Sequence, residues 1–185
     1  ERALKNDPDI ACCIVEPTGG HFATYPIQPL PFLQQLREVT DKYGVLLIFD
    51  ETITGFRVSK GGAAGKYNID PDMSTVGKIV AGGMPGAALA GKAKYMQMLE
   101  RSGDPEWDRN VRVGQGGTFN ANPPTAKAGI VGLTMIAERP INEMADAMAA
   151  RLKAGINEAF QRTEVSGFAY GIASMVNFIF GVDPK

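Results

Sequence analysis

Val45-Leu46-Leu47-Ile48-Phe49-Asp50-Glu51 is the stretch from which the architecture of this chain can be worked out. Its five consecutive apolar residues predict a strand that is buried on both faces of a parallel sheet. Two acidic residues follow at the carboxyl end of that strand. Because open parallel sheets bind ligands beyond the carboxyl ends of their strands, Asp50 is well placed to belong to a functional site.

A lysine in an unusual setting follows this acid. Lys78 comes twenty-eight residues after Asp50, between Gly77 and Ile79 and ahead of a glycine pair. This apolar, glycine-rich setting predicts a partly buried side chain on a loop, rather than a solvated surface lysine. An acid and an amine placed in this way suit pyridoxal phosphate, which needs a carboxylate at its pyridinium nitrogen and an amine to hold its aldehyde as a Schiff base.

The residues before this stretch predict a β-α-β unit. Residues 10–15 form a short apolar run, and the segment 31–43 carries an apolar stripe at helical spacing, followed by Gly44 as a typical C-terminal residue of a helix. A helical crossover makes the two flanking strands parallel. Glu16 directly follows the first strand, and two interpretations stay open for it: local capping or pairing, or membership of the site.

The sequence on both sides of Lys78 predicts further strands, helices and loops of an α/β fold. We expect strands at 73–76 and 87–90 and a helix at 93–99. The glycine-rich segment 61–65 is expected to be a turned or mobile loop, and 102–113 an irregular surface loop.

A domain boundary is expected near residue 138. A helix at 124–137 precedes it, and small residues in that helix allow another backbone to approach closely. After it we expect a long helix at 141–162, with methionine and leucine packing into the core along one stripe, and a β segment at 171–180.

A second glycine-rich segment, Gly114-Gln115-Gly116-Gly117-Thr118-Phe119-Asn120-Ala121-Asn122-Pro123, stands before the helix expected at 124–137. Free backbone N–H groups and the helix dipole can form an anion site at such a place. A capping turn without a ligand is the other interpretation, and from the residues alone it is somewhat better supported.

Composition restricts the classes of function. Of the 185 residues 44% are hydrophobic and 21% charged, with a net charge of −1, which is ordinary for a globular protein. The near-neutral charge gives no support for a nucleic acid or an anionic membrane as partner. No apolar run approaches the ~18 residues that a membrane span needs, and the N-terminus has no apolar signal segment.

Three kinds of residue bear on compartment and chemistry. Cys12 and Cys13 are adjacent in a predicted strand, and two buried thiols fit a reducing cytosol better than a disulfide framework. We therefore expect a cytoplasmic protein. His21 is the single histidine, so neither a histidine metal site nor a Ser-His-Asp triad is expected. The chain starts with Glu1 rather than Met, which indicates lost upstream sequence.

Three segments taken together resemble one family. They are Phe49-Asp50-Glu51-Thr52-Ile53-Thr54-Gly55-Phe56-Arg57, Thr75-Val76-Gly77-Lys78-Ile79-Val80-Ala81-Gly82-Gly83 and Gly117-Thr118-Phe119-Asn120-Ala121-Asn122-Pro123. In order and spacing they resemble the class III pyridoxal-phosphate aminotransferases, most closely the glutamate-1-semialdehyde aminomutase group. The resemblance covers essentially the whole chain. It implies the α/β fold-type-I transferase architecture, with 1–138 in the large, mostly parallel sheet domain and 139–185 opening a small α+β C-terminal domain of a homodimer.

The resemblance also implies roles for particular residues. Asp50 would pair with the pyridinium nitrogen, and Lys78 would be the Schiff-base residue that moves a proton between substrate and cofactor carbons. Thr52 resembles the residue that packs against the cofactor ring. Gly117 and Thr118 resemble the phosphate-binding segment, in which the threonine reaches the cofactor of the partner subunit.

Two further residues are expected near the cofactor. Glu16-Pro17 is similar to the aminomutase group, whereas His21 stands where that group typically has asparagine, and the loop 22–30 is one residue longer. A transaminase for β- or ω-amino acids therefore stays open beside the aminomutase, as does a catalytically inactive chain that only packs or dimerises. The family is much longer than this chain, so we expect a fragment that by itself binds cofactor weakly and turns over little.

Overall fold

The computed structural model of this protein describes residues 1–19 and 29–182. Within these residues, the main sheet has four strands. In spatial order they are β1 (Cys12–Val15), β2 (Leu46–Glu51), β3 (Met73–Gly77) and β4 (Ala87–Gly91). Strands β1, β2 and β3 are parallel, and β4 runs antiparallel to β3. The predicted β-α-β unit and the α/β fold class are therefore confirmed.

Helices connect these strands and continue the chain beyond them. The helical segments are α1 (Arg2–Asn6), α2 (Pro29–Tyr43), α3 (Gly62–Tyr67), a 3₁₀ helix (Lys78–Ala81), α4 (Ala93–Met96), a 3₁₀ turn (Gln97–Leu99), α5 (Pro105–Asn110), α6 (Pro123–Glu138) and α7 (Ile141–Thr163). A two-stranded antiparallel sheet, β5 (Gly167–Tyr170) and β6 (Asn177–Phe180), follows α7. Within the described ranges, no helix combines the length and the apolar character needed to cross a bilayer.

The core lies between the main sheet and the crossover helices α2 and α3. Leu33 of α2 and Leu47 and Phe49 of β2 are fully buried there, and Ala63 and Tyr67 of α3 belong to the same cluster. Burial of one large apolar side chain contributes about 1.5–3 kcal/mol. These contacts therefore fix both crossover helices on one face of the sheet.

Strand β2 is buried on one face only, so the expectation of a strand covered on both faces was wrong. Leu47, Phe49 and Glu51 are buried, whereas the residues that alternate with them are half-buried. Successive side chains of a strand point to opposite faces, and α2 and α3 pack on the Leu47 face. Asp50 consequently lies on the more accessible face.

The two cysteines of β1 are also more accessible than expected. Cys12 is exposed, Cys13 is half-buried, and both are free thiols. Adjacent strand residues face opposite sides of the sheet, so both thiols cannot turn into one core. Partial burial, with a smaller effect of Cys12, raises the pKa of the Cys13 thiol, which keeps it in its less reactive protonated form.

Two segments that were expected to be loops contain short helices. α3 occupies most of the glycine-rich segment because the buried carboxylate of Glu51 binds its first N–H groups. α5 lies inside 102–113, where the Asp104 side chain accepts a hydrogen bond from the Glu106 N–H and Pro105 takes the first helical position. The Asp-Pro signal for α5 is present in the sequence, whereas Glu51 reaches α3 only in the folded chain.

Helix α7 exposes most of the apolar stripe that was expected in the core. Met144, Met148 and Leu152 are 61%, 57% and 55% exposed, whereas Phe160 is buried. β5 packs on the other side of the helix, where Asn157 accepts a hydrogen bond from the Ala169 N–H at 2.7 Å. The stripe is therefore a surface feature over its first half and a core feature only at its end.

The C-terminal β segment starts earlier than expected and consists of two strands. β5 pairs with β6 from Gly167 opposite Phe180 to Tyr170 opposite Asn177. The connection between the strands returns to the main core, where Ile172 and Met175 pack against it. The predicted segment 171–180 therefore contains only the second strand and this connection.

The predicted close approach at α6 is confirmed. Gly82, which follows the 3₁₀ helix, faces Gly129 and Gly132 of α6. A Cβ atom on Gly132 would lie 3.3 Å from the Gly82 Cα, and a Cβ on Gly82 would overlap the carbonyl oxygen of Ala128. Helix α6 therefore holds the 3₁₀ helix, whose first residue is Lys78.

We expect Gly82→Ala to lower the free energy of unfolding by about 3 kcal/mol, because it adds a backbone clash to the strain of a positive φ. Gly83→Ala is the matched control: its φ of 93° is also positive, but its Cβ would meet nothing within 4 Å. The control should cost only about 1–2 kcal/mol. Urea denaturation of both variants checks this, and equal losses would contradict the proposed contact with α6.

Candidate active site

The parallel strands bring the predicted site residues to one edge of the sheet. Val15 pairs with Phe49, so Glu16 and Asp50 emerge together at the carboxyl ends of β1 and β2. Asp50 in turn pairs with Thr75 of β3, and Lys78 directly follows the last residue of that strand. An acid and an amine thus stand at the ends of neighbouring strands, where ligands of open α/β sheets bind.

Hydrogen bonds orient the carboxylate of Asp50. Its Oδ1 accepts the backbone N–H of Thr52 at 3.0 Å and the hydroxyl of Thr75 at 3.1 Å. The Thr52 hydroxyl has the largest effect in lowering the pKa of Asp50. The Thr52 N–H, the Thr75 hydroxyl and the charge of Lys78 add to it and together outweigh the opposing effect of burial. Asp50 is therefore an anion at neutral pH, within electrostatic reach of Lys78.

Lys78 is exposed in the described structure, so the expectation of a partly buried lysine was wrong. It is the first residue of the 3₁₀ helix rather than part of a loop, and its φ of 50° is left-handed. Such a conformation is uncommon for a residue with a side chain and often marks a functional position. The exposed Lys78 follows Gly77, which is buried.

Thr52 and Gly77 bring the segments after β2 and β3 into contact. A Cβ on Gly77 would lie 3.1 Å from Cγ2 of Thr52. Thr52 is half-buried beside Asp50. Its methyl group therefore lies against the backbone immediately before Lys78.

The neighbouring acid Glu51 has a structural role on the opposite face. It is buried, and its carboxylate accepts hydrogen bonds from the N–H groups of Ala63 at 2.6 Å and Ala64 at 3.2 Å. The hydroxyl of Thr54 adds a third bond at 3.0 Å. Of the two adjacent acids, only Asp50 is therefore turned toward the accessible face.

Gly117 and Thr118 lie in an exposed segment before α6. The helix is capped by Asn122, which accepts the Thr125 N–H at 3.2 Å, so Thr118 is not the capping residue. The Thr125 hydroxyl joins this helix start to the carbonyl of Pro85 at 3.2 Å. Within the described ranges, no hydrogen bond links Thr118 to Asp50 or Lys78, so the structure does not assemble these residues into one site.

The two remaining candidates follow β1. Glu16 is half-buried, and its carbonyl accepts the Gly19 N–H at 3.3 Å in a turn. Thr18 is almost fully buried in the same turn. His21 lies outside the described residues, so its expected place near the cofactor stays a prediction.

Arg57, in the motif after β2, ties separate parts of the chain together. Its guanidinium donates to the Ser174 hydroxyl at 3.2 Å, and its carbonyl accepts the Asn142 side chain at 3.0 Å. Asn142 also donates to the carbonyl of Phe56 at 2.9 Å. These bonds join the loop after Asp50 to α7 and to the β5–β6 connection.

A surface cavity of about 400 Å³ lies beside Asn142. It is formed by the segment 58–65 and the start of α7, and it touches neither Asp50 nor Lys78. The described part of the chain contains no group of three or more histidine, cysteine or acidic residues that could hold a metal ion.

Asp72 is a second buried acid that the sequence did not single out. Its carboxylate accepts hydrogen bonds from the Leu47 N–H at 2.9 Å, Arg37 at 2.9 Å and Lys92 at 3.0 Å. Burial opposes ionisation, but these bonds and the charge of Arg37 outweigh it and lower the pKa of Asp72 to about 2. Asp72 precedes β3, at the end of the strand opposite Lys78, and links β2, α2 and the end of β4.

We expect Asp72 to make stability depend on acid pH. Its pKa is lower in the folded chain than the ordinary 3.8, so its contribution is fully present above about pH 5 and is lost as the pH falls toward 2. The shift corresponds to about 2 kcal/mol. Urea midpoints at pH 6 and pH 2.5 measure the effect.

Asp72→Asn should be less stable at pH 6 and lose less stability between these pH values. Asp41→Asn is the control, because Asp41 pairs with the same Arg37 but its side chain is 65% exposed. An Asp72→Asn protein with the wild-type pH dependence would contradict this role.

Solved structures of two transaminases are similar to this chain. An omega-transaminase from Sphaerobacter thermophilus is 33% identical with a TM-score of 0.86, and the match covers 99% of this chain and 40% of that one. A beta-phenylalanine aminotransferase from Variovorax paradoxus is 34% identical with a TM-score of 0.78, covering 100% and 41%. The fold is thus that of the fold-type-I transferases, of which these transaminases are examples.

The sequence comparisons identify the family. The family model for Aminotransferase class-III matches residues 2–171. A glutamate-1-semialdehyde 2,1-aminomutase 2 from Brevibacillus brevis is 39% identical over 176 residues, which are 95% of this chain and 39% of that protein. The chain belongs to the class-III aminotransferase family, as its motifs predicted. It spans about 40% of the length of these relatives.

Proposed function

We propose that the protein transfers an amino group with pyridoxal phosphate as cofactor, and that its reaction is that of a glutamate-1-semialdehyde aminomutase. In this reaction the amino group changes position within one substrate and gives 5-aminolevulinate. Aminomutases at 37–40% identity support this choice. Because the chain spans only about 40% of their length, the activity, substrate and partners belong to the proposal.

The observation that carries the proposal is the pair Asp50 and Lys78 at the carboxyl ends of β2 and β3. The donor set fits pyridoxal phosphate. An oriented anion is available for a protonated ring nitrogen, an accessible amine for an aldehyde, and the methyl group of Thr52 lies against the backbone just before that lysine. When bound, the cofactor supplies an electron sink for a carbanion at the substrate carbon.

Each residue of the site would then have a separate role toward the cofactor. Asp50 keeps a proton on the ring nitrogen through its negative charge. The Nζ of Lys78 would hold the aldehyde of the cofactor and would carry a proton to and from the substrate carbon. Thr52 packs against the ring, and Gly117 and Thr118 bind phosphate through backbone N–H groups and a hydroxyl.

A second candidate is a transaminase that passes the amino group to a separate keto acid. It is favoured by the two solved transaminases, whose identities of 33% and 34% come with TM-scores of 0.86 and 0.78. The His21 position, where the aminomutase group typically has asparagine, points the same way. The third alternative is a catalytically inactive chain that only packs or dimerises. Borohydride labelling of the lysines distinguishes it from the two enzymes.

Partners, location and domain organisation complete the proposal. We place the protein in a homodimer, in which Thr118 serves the cofactor of the partner subunit, and Glu16 and His21 near the cofactor on their own subunit. The exposed Thr118 segment is compatible with a contact across a dimer interface. Two free thiols at adjacent positions fit the cytoplasm. Residues 1–138 would belong to the large domain and 139–185 to the small one.

Absorbance spectroscopy with borohydride reduction tests the cofactor. The natural full-length protein is mixed with pyridoxal phosphate, reduced and digested, and the lysine that carries the pyridoxyl group is identified by mass spectrometry. We expect one modified site, Lys78, and none in Lys78→Ala. Uniform labelling of surface lysines would refute the proposal and favour the inactive chain.

Product analysis then separates the two activities. Formation of 5-aminolevulinate from glutamate-1-semialdehyde without added keto acid supports the aminomutase. Amino transfer that requires an added keto acid supports the transaminase instead. The 185-residue chain alone is expected to bind the cofactor weakly and to turn over little in either assay.

A further inference from the structure

We propose that Thr75 is a positioning residue: its hydroxyl fixes the carboxylate of Asp50 in the orientation in which it would face the cofactor. The inference deepens the proposed function and rests on it for the identity of the ligand. Thr75 lies in β3 and begins the motif that contains Lys78, but no role was predicted for it from the sequence.

The register of the sheet creates this contact. Asp50 and Thr75 are direct partners across the parallel strands β2 and β3. The Thr75 hydroxyl lies 3.1 Å from Oδ1 of Asp50. An ionised carboxylate can only accept hydrogen bonds, so the threonine must donate its proton to Asp50.

Two hydrogen bonds of Asp50 end on the same oxygen. The Thr52 N–H and the Thr75 hydroxyl both donate to Oδ1, at 3.0 and 3.1 Å. Thr52 follows β2 and Thr75 lies in β3, so two donors from neighbouring segments hold the plane of the carboxylate more firmly than one donor could. We assign the carboxylate held in this way to a protonated ring nitrogen.

Packing alone does not require threonine at this position. Valine has almost the same shape and an equally high preference for strands, and Thr75 is half-buried between β2 and β4. What threonine adds is a hydroxyl directed at Asp50. That hydroxyl is one of the groups that lower the pKa of Asp50, after the hydroxyl and N–H of Thr52.

Thr75→Val and Thr75→Ser test this role in the natural full-length protein. The first readout needs no cofactor: a carbon-13 NMR titration of the Asp50 carboxyl. We expect its pKa to rise in Thr75→Val and to return close to wild type in Thr75→Ser. The second readout is the dissociation constant of pyridoxal phosphate, expected to rise about tenfold in Thr75→Val, the usual effect of losing a hydrogen bond to a charged group.

Ser74→Ala is the matched control, because it removes a hydroxyl from the adjacent position of the same strand, opposite Phe49 rather than Asp50. It should leave both readouts unchanged. An unchanged Asp50 pKa and cofactor affinity in Thr75→Val would overturn the inference, as would a Thr75→Ser protein that is equally impaired. Failure of the wild-type protein to bind pyridoxal phosphate would instead overturn the proposed function, and with it the assignment of the Asp50 carboxylate to a cofactor.

Discussion

Replacement of Lys78 by alanine is expected to lower the rate of amino transfer by the natural full-length protein at least about 10³-fold, since a proton-transfer group alone contributes 10²–10⁴-fold and the covalent anchor is lost as well. The amine of Lys78 is the only chemical group that the substitution removes from the carboxyl edge of β3. The measurement is the initial rate of product formation at saturating cofactor and substrate.

Folding should be little affected by this substitution, because Lys78 is exposed and alanine tolerates its left-handed φ no worse than lysine. Lys94→Ala provides the control, since Lys94 is also exposed and only contacts the ring of Tyr95, at 4.6 Å. Lys94→Ala should keep its activity. A proton-transfer group is expected to contribute at least about 10²-fold to the rate. A Lys78→Ala protein with more than about a tenth of the wild-type rate would therefore contradict the assignment of Lys78 as catalytic.

Asp50→Asn is expected to lower the turnover number about 10²–10³-fold, the usual effect of removing one electrostatic partner of the reacting group. Asparagine keeps the size of the side chain and can still accept the hydrogen bonds of Thr52 and Thr75. It has no charge, however, and so cannot keep a proton on the ring nitrogen at neutral pH. The turnover number and the cofactor dissociation constant should be measured together, and both should worsen.

Glu51→Gln is the informative comparison for this prediction, because the two acids are adjacent and face opposite sides of β2. Glu51 binds the N–H groups at the start of α3 and the Thr54 hydroxyl, all within the core. Its loss of charge should lower the free energy of unfolding by about 1–3 kcal/mol, with activity retained below the unfolding temperature. If Asp50→Asn unfolded like Glu51→Gln yet kept its turnover number, Asp50 would be a structural residue.

Local sequence patterns were sufficient for the central part of the fold. The apolar run before Asp50, the helical stripe that ends at Gly44 and the glycines of α6 each depend on neighbouring residues, and each was confirmed. Gly44 has a φ of 67°, as expected at the end of a helix. The family followed from three motifs for the same reason, since each motif is continuous in the sequence. The roles of the site residues stay predictions until they are tested.

Burial was predicted less well, because it depends on which elements cover each face. Periodicity in α7 correctly gave a helix, but whether Met144 and Met148 lie in a core depends on what packs beside them, and in the described structure both are exposed. The same limit applies to Lys78, whose apolar neighbours in the sequence do not surround its side chain.

The sequence by itself determined the parallel β-α-β unit and the placement of an acid and a lysine after β2 and β3. Only the tertiary structure decided that Thr75 would donate a hydrogen bond to Asp50 and that Glu51 would accept one at the start of α3. It also decided that the Asp72 carboxylate would accept hydrogen bonds from Arg37, Lys92 and the Leu47 N–H. The physical reason is that these bonds join residues 12 to 35 positions apart. Strand register and crossover packing bring such residues together, and no local pattern encodes either.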